Sequence, residues 1–270
     1  MSKAAVLLID VQNDFHSGGS LAVPGAEADA VRLAAMIEEN LDKIGAIFVT
    51  LDSHNVEHIA HTNRWNTKPD GTGEQPGLFT LISHDDVVNK RWCPTDPSVQ
   101  KYCEDYTRAL EEKGRFKLTI WPNHCIMGTP GHDVVPCLQK AINIWLEKNP
   151  TQTVQYVRKG QNNMTEMYSA IEAEVPVASD PLTQTNFGFI GELKNASKVI
   201  IGGQALSHCV NYTTRDLLRY WTPRDPKDLI LLLDGASPVA GCEADGKQFV
   251  DDMRAANVTM KLTVDAFADM

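Results

Sequence analysis

A three-layer α/β sandwich, with a mainly parallel central sheet flanked by helices, is the fold class the sequence predicts, and three observations predict it. Short apolar, β-branched runs alternate with longer amphipathic segments along most of the chain. At 270 residues the chain can bury one full core. Reactive side chains recur just after the apolar runs, as they do in parallel sheets whose functional groups gather at the carboxyl ends of strands.

The elements follow in order. The run 4–9 ends in Asp10; it is too short for a signal peptide's apolar region or a membrane span, and reads as the first strand of a cytoplasmic protein. A helix near 26–42 leads to a strand at 45–51, which Asp52 follows. Residues 62–115 break the alternation. Asn63 to Gly77 is rich in Gly, Pro, Thr and Asn and reads as loop, while Pro97 to Gly114 reads as one polar helix. We take 62–115 as an insertion near the active edge of a single domain spanning 1–270, in the role of lid, binding loop or contact surface. A helix near 133–148 precedes the strand 152–158, closed by Lys159. Strands near 197–203, 228–234 and 258–263 then alternate with helices near 208–220 and 243–256. No internal repeat or low-complexity tract interrupts the pattern.

A formal charge of −10, without a dense Lys/Arg cluster, disfavours a protein that grips nucleic acid or anionic membrane and favours a small-molecule partner. The six cysteines are scattered without C-x-x-C pairs, which argues against a disulfide framework or a cysteine zinc knuckle. Cys93 and Cys103 share one polar stretch and read as free thiols, with a disulfide or a shared metal as the alternative.

The most informative segment is Val199-Ile-Ile-Gly-Gly-Gln-Ala-Leu-Ser-His-Cys-Val210. Three β-branched residues favour a buried strand, the glycines permit a tight turn, and Cys209 falls in the first turn of the helix that follows. Unpaired N–H groups and the helix dipole there favour thiolate. The ordinary role of such a cysteine is a small buried hydrophobe.

Asp52-Ser-His54 places a carboxylate and an imidazole two positions apart, on one side of a strand end, a spacing that can hold a divalent metal. His58 and His61 follow closely, and His124 lies in a Gly/Pro-rich loop. Mixed Asp/His ligation suits zinc, iron(II) or manganese; solvated loop histidines are the alternative. Lys159 alone reads as a snorkelling surface charge and Asp10 as a turn former. With Cys209 they acquire another meaning, because a carboxylate can take the thiol proton while an ammonium holds that carboxylate in place.

Taken together, these segments resemble one family. Asp10-Val-Gln-Asn-Asp-Phe15 with Gly18-Gly-Ser-Leu-Ala-Val23, Asp52-x-His54-x-x-x-His58, Trp121-Pro-x-His-Cys-x-x-Gly-Thr-Pro-Gly131, Lys159-Gly160 and the Ala205-to-Cys209 elbow occur in the order of the nicotinamidase/pyrazinamidase branch of the isochorismatase-like cysteine hydrolases. The resemblance implies that fold, a catalytic triad of Asp10, Lys159 and Cys209, and metal ligands Asp52, His54 and His124. It further implies an oxyanion site from the Ala205 and Cys209 amides, a cis peptide at Gln204–Ala205 that helps aim them, and an aromatic pocket of Phe15, Trp121 and Tyr168. The implied activity is hydrolysis of nicotinamide to nicotinate and ammonia through a thioester, in NAD salvage, with one divalent metal, zinc first. Oligomers are common in that family, which leaves a homo-oligomer open.

The sequence also departs from the pattern. Ile59-Ala-His61 stands where relatives usually carry Ser-Phe, the elbow has Gln204 and Leu206-Ser-His208, and 62–115 is longer than in compact members. The rival readings are hydrolysis of another small amide or N-carbamoyl compound, whose branches generally lack the metal site, and a catalytically silent binding or scaffold protein.

Overall fold

In the computed structural model, which describes residues 3–270, β1 (Ala4–Ile9) is buried at every position because both its faces are covered. Ala5, Leu7 and Ile9 join one core cluster while Ala4, Val6 and Leu8 join the other. This period-two division makes β1 the centre of the molecule. Then come α1 (Ala26–Glu39), β2 (Ile44–Asp52), β3 (Trp65–Asn66), β4 (Leu81–Ile82), α2 (His84–Val88), β5 (Cys93–Pro94), α3 (Gln100–Glu112) and β6 (Leu118–Thr119). The carboxyl-terminal part adds α4 (Pro136–Lys148), β7 (Gln155–Lys159), α5 (Phe187–Lys194), β8 (Val199–Gly203), α6 (Cys209–Arg219), β9 (Leu229–Leu232), α7 (Glu243–Ala255) and β10 (Thr259–Lys261).

Six strands form one sheet in the order β10-β9-β8-β1-β2-β7, with every neighbouring pair parallel. On one face α1 packs through Leu33 and Ile37, and α4 through Leu138, Ile142 and Trp145. The other face is covered by α3, α5, α6 and α7, through residues such as Tyr106, Phe189, Leu217 and Phe249. Three layers result, as the alternation predicts.

The elements agree with the sequence reading to within a few residues, except in two regions. Residues 62–119 hold more than a loop and one helix: β3 pairs with β5 and β4 with β6, both antiparallel, and Trp65, Ile82 and Leu118 enter the same core cluster as α3. This segment meets the loop after β7, where the Tyr102 hydroxyl donates to the Met164 carbonyl at 2.8 Å and the Glu166 N–H donates to the Tyr106 hydroxyl at 3.0 Å. The second exception is α5, which the sequence reading leaves unassigned; Asn186 caps it by accepting from the Phe189 N–H.

Register sets the active edge. Ile9 pairs with Thr50 on β2 and with Gly203 on β8, while Asp52 pairs with Lys159 on β7. The four strands β7, β2, β1 and β8 therefore end side by side. Gly203 must be glycine: it has φ +126°, and a Cβ there would collide with the backbone of Ile9.

Candidate active site

Asp10 leaves β1 in the left-handed region, φ +47°, a costly conformation for a residue with a Cβ. Its N–H is held by Thr50, on the carbonyl at 3.2 Å and the hydroxyl at 3.1 Å. Its carboxyl accepts from the Thr50 hydroxyl at 2.5 Å through Oδ1, and Oδ2 lies 2.9 Å from Lys159 Nζ.

Lys159 corrects the surface-charge reading. β7 is an edge strand whose side chains are mostly exposed, yet the Lys159 side chain is 1% exposed. Its ammonium is 3.0 Å from Asp52 Oδ1, donates to the Met167 carbonyl at 3.1 Å and reaches Cys209 Sγ at 3.5 Å. Burial disfavours its charge, but Asp10 and Asp52 outweigh that and hold its pKa well above the ordinary lysine value.

Cys209 is the first residue of α6, buried beside both partners. Burial pushes its thiol well up, against the pull of Lys159, and Asp10 and Asp52 add to the rise. A thiolate would place a third anion around one ammonium. The expectation that the helix terminus favours thiolate is thus overridden by burial and charge balance. Burial likewise raises the Asp10 carboxyl, opposed by Lys159. Burial and charge balance thus favour the neutral thiol, and Asp10 and Cys209 share the Lys159 ammonium, at 2.9 and 3.5 Å.

Asp52 Oδ2 lies 3.1 Å from His54 Nε2 and 3.2 Å from His124 Nε2, all three residues buried. His54 Nδ1 faces the Gly160 carbonyl at 3.2 Å and His124 Nδ1 the Pro122 carbonyl at 2.8 Å. Carbonyls only accept, so each Nδ1 carries a proton and each Nε2 is the atom turned to the carboxylate, able to give a lone pair to a metal that displaces any proton Asp52 holds there. Three electron-pair donors facing one another call for a cation between them, so the residues fit a divalent metal. Burial raises and His54 and Lys159 lower the Asp52 carboxyl; the net direction is well below its ordinary value. Gly160, φ +74°, explains its place after the lysine, because a Cβ there would sit 2.8 Å from His54 Cε1 and 2.9 Å from Asp52 Oδ1.

His58 and His61 pack on His54, with ring centroids 4.3 and 5.4 Å away. Neither belongs to the Asp52 group, whereas His58 forms a second buried group with His54 and Glu166. Burial, reinforced by His54, keeps His58 well below the ordinary histidine range and His61 at about 3, so both are neutral.

Phe15, Trp121 and Tyr168 meet at a narrow cavity of about 20 Å³ that also touches Asp52, His124, Ala205 and Cys209. The Trp121 indole donates to the Tyr168 hydroxyl at 2.8 Å, and Phe15 meets His124 edge to face at 5.6 Å. Outside lies a basin of about 750 Å³ that shares Trp121, His208 and Val239 with the inner cavity. The Gln204–Ala205 peptide is cis, and among the described residues neither the Ala205 nor the Cys209 N–H donates a hydrogen bond. Cys93 and Cys103 are both free thiols.

Three contributors escaped the sequence reading. Thr50 had a signal, as a hydroxyl inside an apolar run that needs a partner once buried. His208, which faces Trp121 and Tyr168 at 5.2 Å, was legible only as a departure from the family's elbow. Glu166, buried with Oε2 unpartnered among the described residues, lies in a loop without periodicity and gave none.

The fold with this edge of strand ends is that of the isochorismatase-like hydrolases; an isochorismatase family protein from Desulfovibrio vulgaris superposes with a TM-score of 0.55 at 14% identity, covering 98% of this chain and 96% of that one. No family model matches the chain. It is 23% identical to the nicotinamidase of Escherichia coli over 220 residues, 81% of this chain and 78% of that one, and 27% identical to the nicotinamidase of Acinetobacter baylyi over 218 residues, 80% and 74%. Among solved structures, the Acinetobacter baumanii nicotinamidase/pyrazinamidase gives a TM-score of 0.63 at 23% identity over 98% of both chains. The Pyrococcus horikoshii pyrazinamidase in complex with zinc gives 0.58 at 19%, covering 96% of this chain and 99% of that one. In sequence and in fold the chain is thus similar to the nicotinamidase/pyrazinamidase branch of that class. No described helix is long and apolar enough to cross a membrane.

Proposed function

We propose that this chain hydrolyses nicotinamide to nicotinate and ammonia, as a cytoplasmic step of NAD salvage. The observation that carries the reading is the convergence of Asp10, Lys159 and Cys209 with Asp52, His54 and His124 around one aromatic cavity. The nicotinamidase relatives support it. Phe15, Trp121 and Tyr168 enclose the ring, and Asp52, His54 and His124 would hold a divalent ion, zinc in the first place with iron or manganese as alternatives. When bound, that ion supplies a Lewis-acidic anchor for the ring nitrogen, which fixes the carboxamide over the sulfur.

Asp10 accepts the Cys209 proton as the sulfur attacks the amide carbon, and Lys159 holds the Asp10 carboxylate in place. The free N–H groups of Ala205 and Cys209 receive the developing oxyanion. Collapse breaks the C–N bond, Asp10 returns the proton to the departing ammonia, and a thioester remains on Cys209. Water then loses a proton to Asp10 as it attacks the thioester carbon; nicotinate leaves and the proton passes back to sulfur.

Ammonia release from nicotinamide by the purified protein tests the reading. Turnover of a carbamoyl compound or a simple aliphatic amide, with none of nicotinamide, would replace it by the related amidohydrolase.

A further inference from the structure

We propose that Gln204 and Asp29 are positioning residues: a side-chain clamp between α1 and the turn after β8 that sets the direction of the Ala205 N–H. The inference rests on the hydrolytic reading above, in which that N–H faces the oxyanion. Gln204 is 1% exposed, and its Nε2 donates to Asp29 Oδ2 at 3.0 Å. Asp29 is equally buried, in the first turn of α1, and its other oxygen accepts from Arg32 Nη2 at 2.6 Å. Arg32 Nε continues to the Asp234 carbonyl, also at 2.6 Å, in the segment after β9. The Asp234 carboxylate in turn accepts from Thr263, through the N–H at 2.7 Å and the hydroxyl at 2.9 Å, after β10.

The main chain of the turn is fixed separately. Gln204 N–H donates to the Ile9 carbonyl at 2.7 Å, Gly203 N–H to the Gly235 carbonyl at 2.8 Å, and Leu206 N–H to the Ser237 carbonyl at 2.8 Å. The Ala205 carbonyl accepts from the N–H groups of His208 and Val210, at 3.0 and 3.2 Å. The 204–205 peptide carries the Ala205 N–H, and Gln204 is held at both ends, by Ile9 through its backbone and by Asp29 through its side chain. An apolar side chain would fill the same buried space at lower cost, because Gln204 Oε1 has no partner among the described residues. What the amide adds is direction, and a donor misplaced by about 1 Å can cost on the order of a hundredfold in rate.

The test compares wild type with Gln204→Leu, Asp29→Leu and the double variant on nicotinamide turnover, and on affinity for nicotinaldehyde and for nicotinate. The aldehyde forms a tetrahedral adduct on Cys209 whose oxygen needs the N–H, whereas planar nicotinate does not. The expected result is a fall of about tenfold or more in kcat and a matching loss of aldehyde affinity. KM and nicotinate affinity stay within about twofold, and the double variant loses no more than the worse single one, as for residues acting as a unit. Unchanged kcat and aldehyde affinity in folded Gln204→Leu overturn the clamp. So does a parallel fall in nicotinate affinity, which marks general loosening. If Gln204→Leu does not fold, Gln204→Met keeps the length without the donor and is judged by the same criteria. Wild-type protein that captures the aldehyde but releases no ammonia overturns the hydrolytic reading alone, and the clamp is then judged on aldehyde affinity.

Discussion

Thr50 and Asp10 are joined in both directions: the Thr50 hydroxyl donates to Asp10 Oδ1 at 2.5 Å, and the Asp10 N–H reaches that same hydroxyl at 3.1 Å. A residue in the strained left-handed region is thereby tied to the neighbouring strand, and its second carboxyl oxygen is left for Lys159. The hydroxyl also favours the charged carboxylate, opposing the burial that raises it. Thr50→Val keeps the shape and removes the donor. We expect a stability loss of about 1–2 kcal/mol and an acid limb of the kcat/KM profile displaced to higher pH, measured by denaturant titration and by a pH–rate series. An acid limb left in place would show that Asp10 does not titrate in turnover.

Cys209→Ala removes the proposed nucleophile and only a small volume. Turnover should fall by at least about a thousandfold while the fold is retained, as checked by circular dichroism. Mass spectrometry of the wild type with a slow substrate should locate an acyl adduct on Cys209 and on none of the other five cysteines.

Lys159→Ala leaves two buried carboxylates, Asp10 and Asp52, without their shared cation. Destabilisation of about 3–5 kcal/mol is expected. At neutral pH the alkylation of Cys209 should slow, because the one group that favours its thiolate is gone. Alkylation at the wild-type rate would remove Lys159 from the proposed triad.

Chelation should abolish most turnover while leaving the fold intact, with metal content followed by elemental analysis. Benzamide has the ring and carboxamide of nicotinamide but no ring nitrogen, and should be a poorer substrate by roughly a hundredfold or more. His54→Ala and His124→Ala should narrow that preference. His61→Ala should matter less, since His61 stands outside the Asp52 group.

Away from the reaction, Glu174 supplies a pH dependence of stability. Burial raises its pKa to about 7, against the pull of Arg115 and with help from Asp216. The folded state therefore binds this proton more tightly than the unfolded chain does. The stabilisation is complete below the ordinary carboxyl pKa and is lost as pH rises through about 7, a change on the order of 3 kcal/mol. Urea titrations at pH 5 and pH 8 should show it, and Glu174→Gln should flatten it.

The layers, the parallel sheet and the strand-end acids were legible because continuous apolar runs and the residues that close them are local signals. Asp52 and His54 share a strand end, so their proximity could be read from spacing alone. Lys159 could not be weighed this way: Gln155 to Arg158 look like a surface strand, and only pairing with β2 buries the fifth residue. The direction of the Cys209 pKa was out of reach for a related reason, because it depends on charges delivered by three other strands. Glu166, Asp29 and the antiparallel pairs within 62–119 are set by tertiary packing, which no window of sequence contains.

The sheet's last strand, β7, meets only β2 and exposes most of its length to solvent. Strand edges of this kind open locally at lower free energy than the core. Detachment of these five residues would withdraw the single cation from between Asp10 and Asp52 while β1, β8 and both core clusters stayed closed. On the proposed chemistry, catalytic competence and global folding would be separable along this seam: fraying at one margin would silence the site well before the chain unfolds, and re-zipping that margin would restore it.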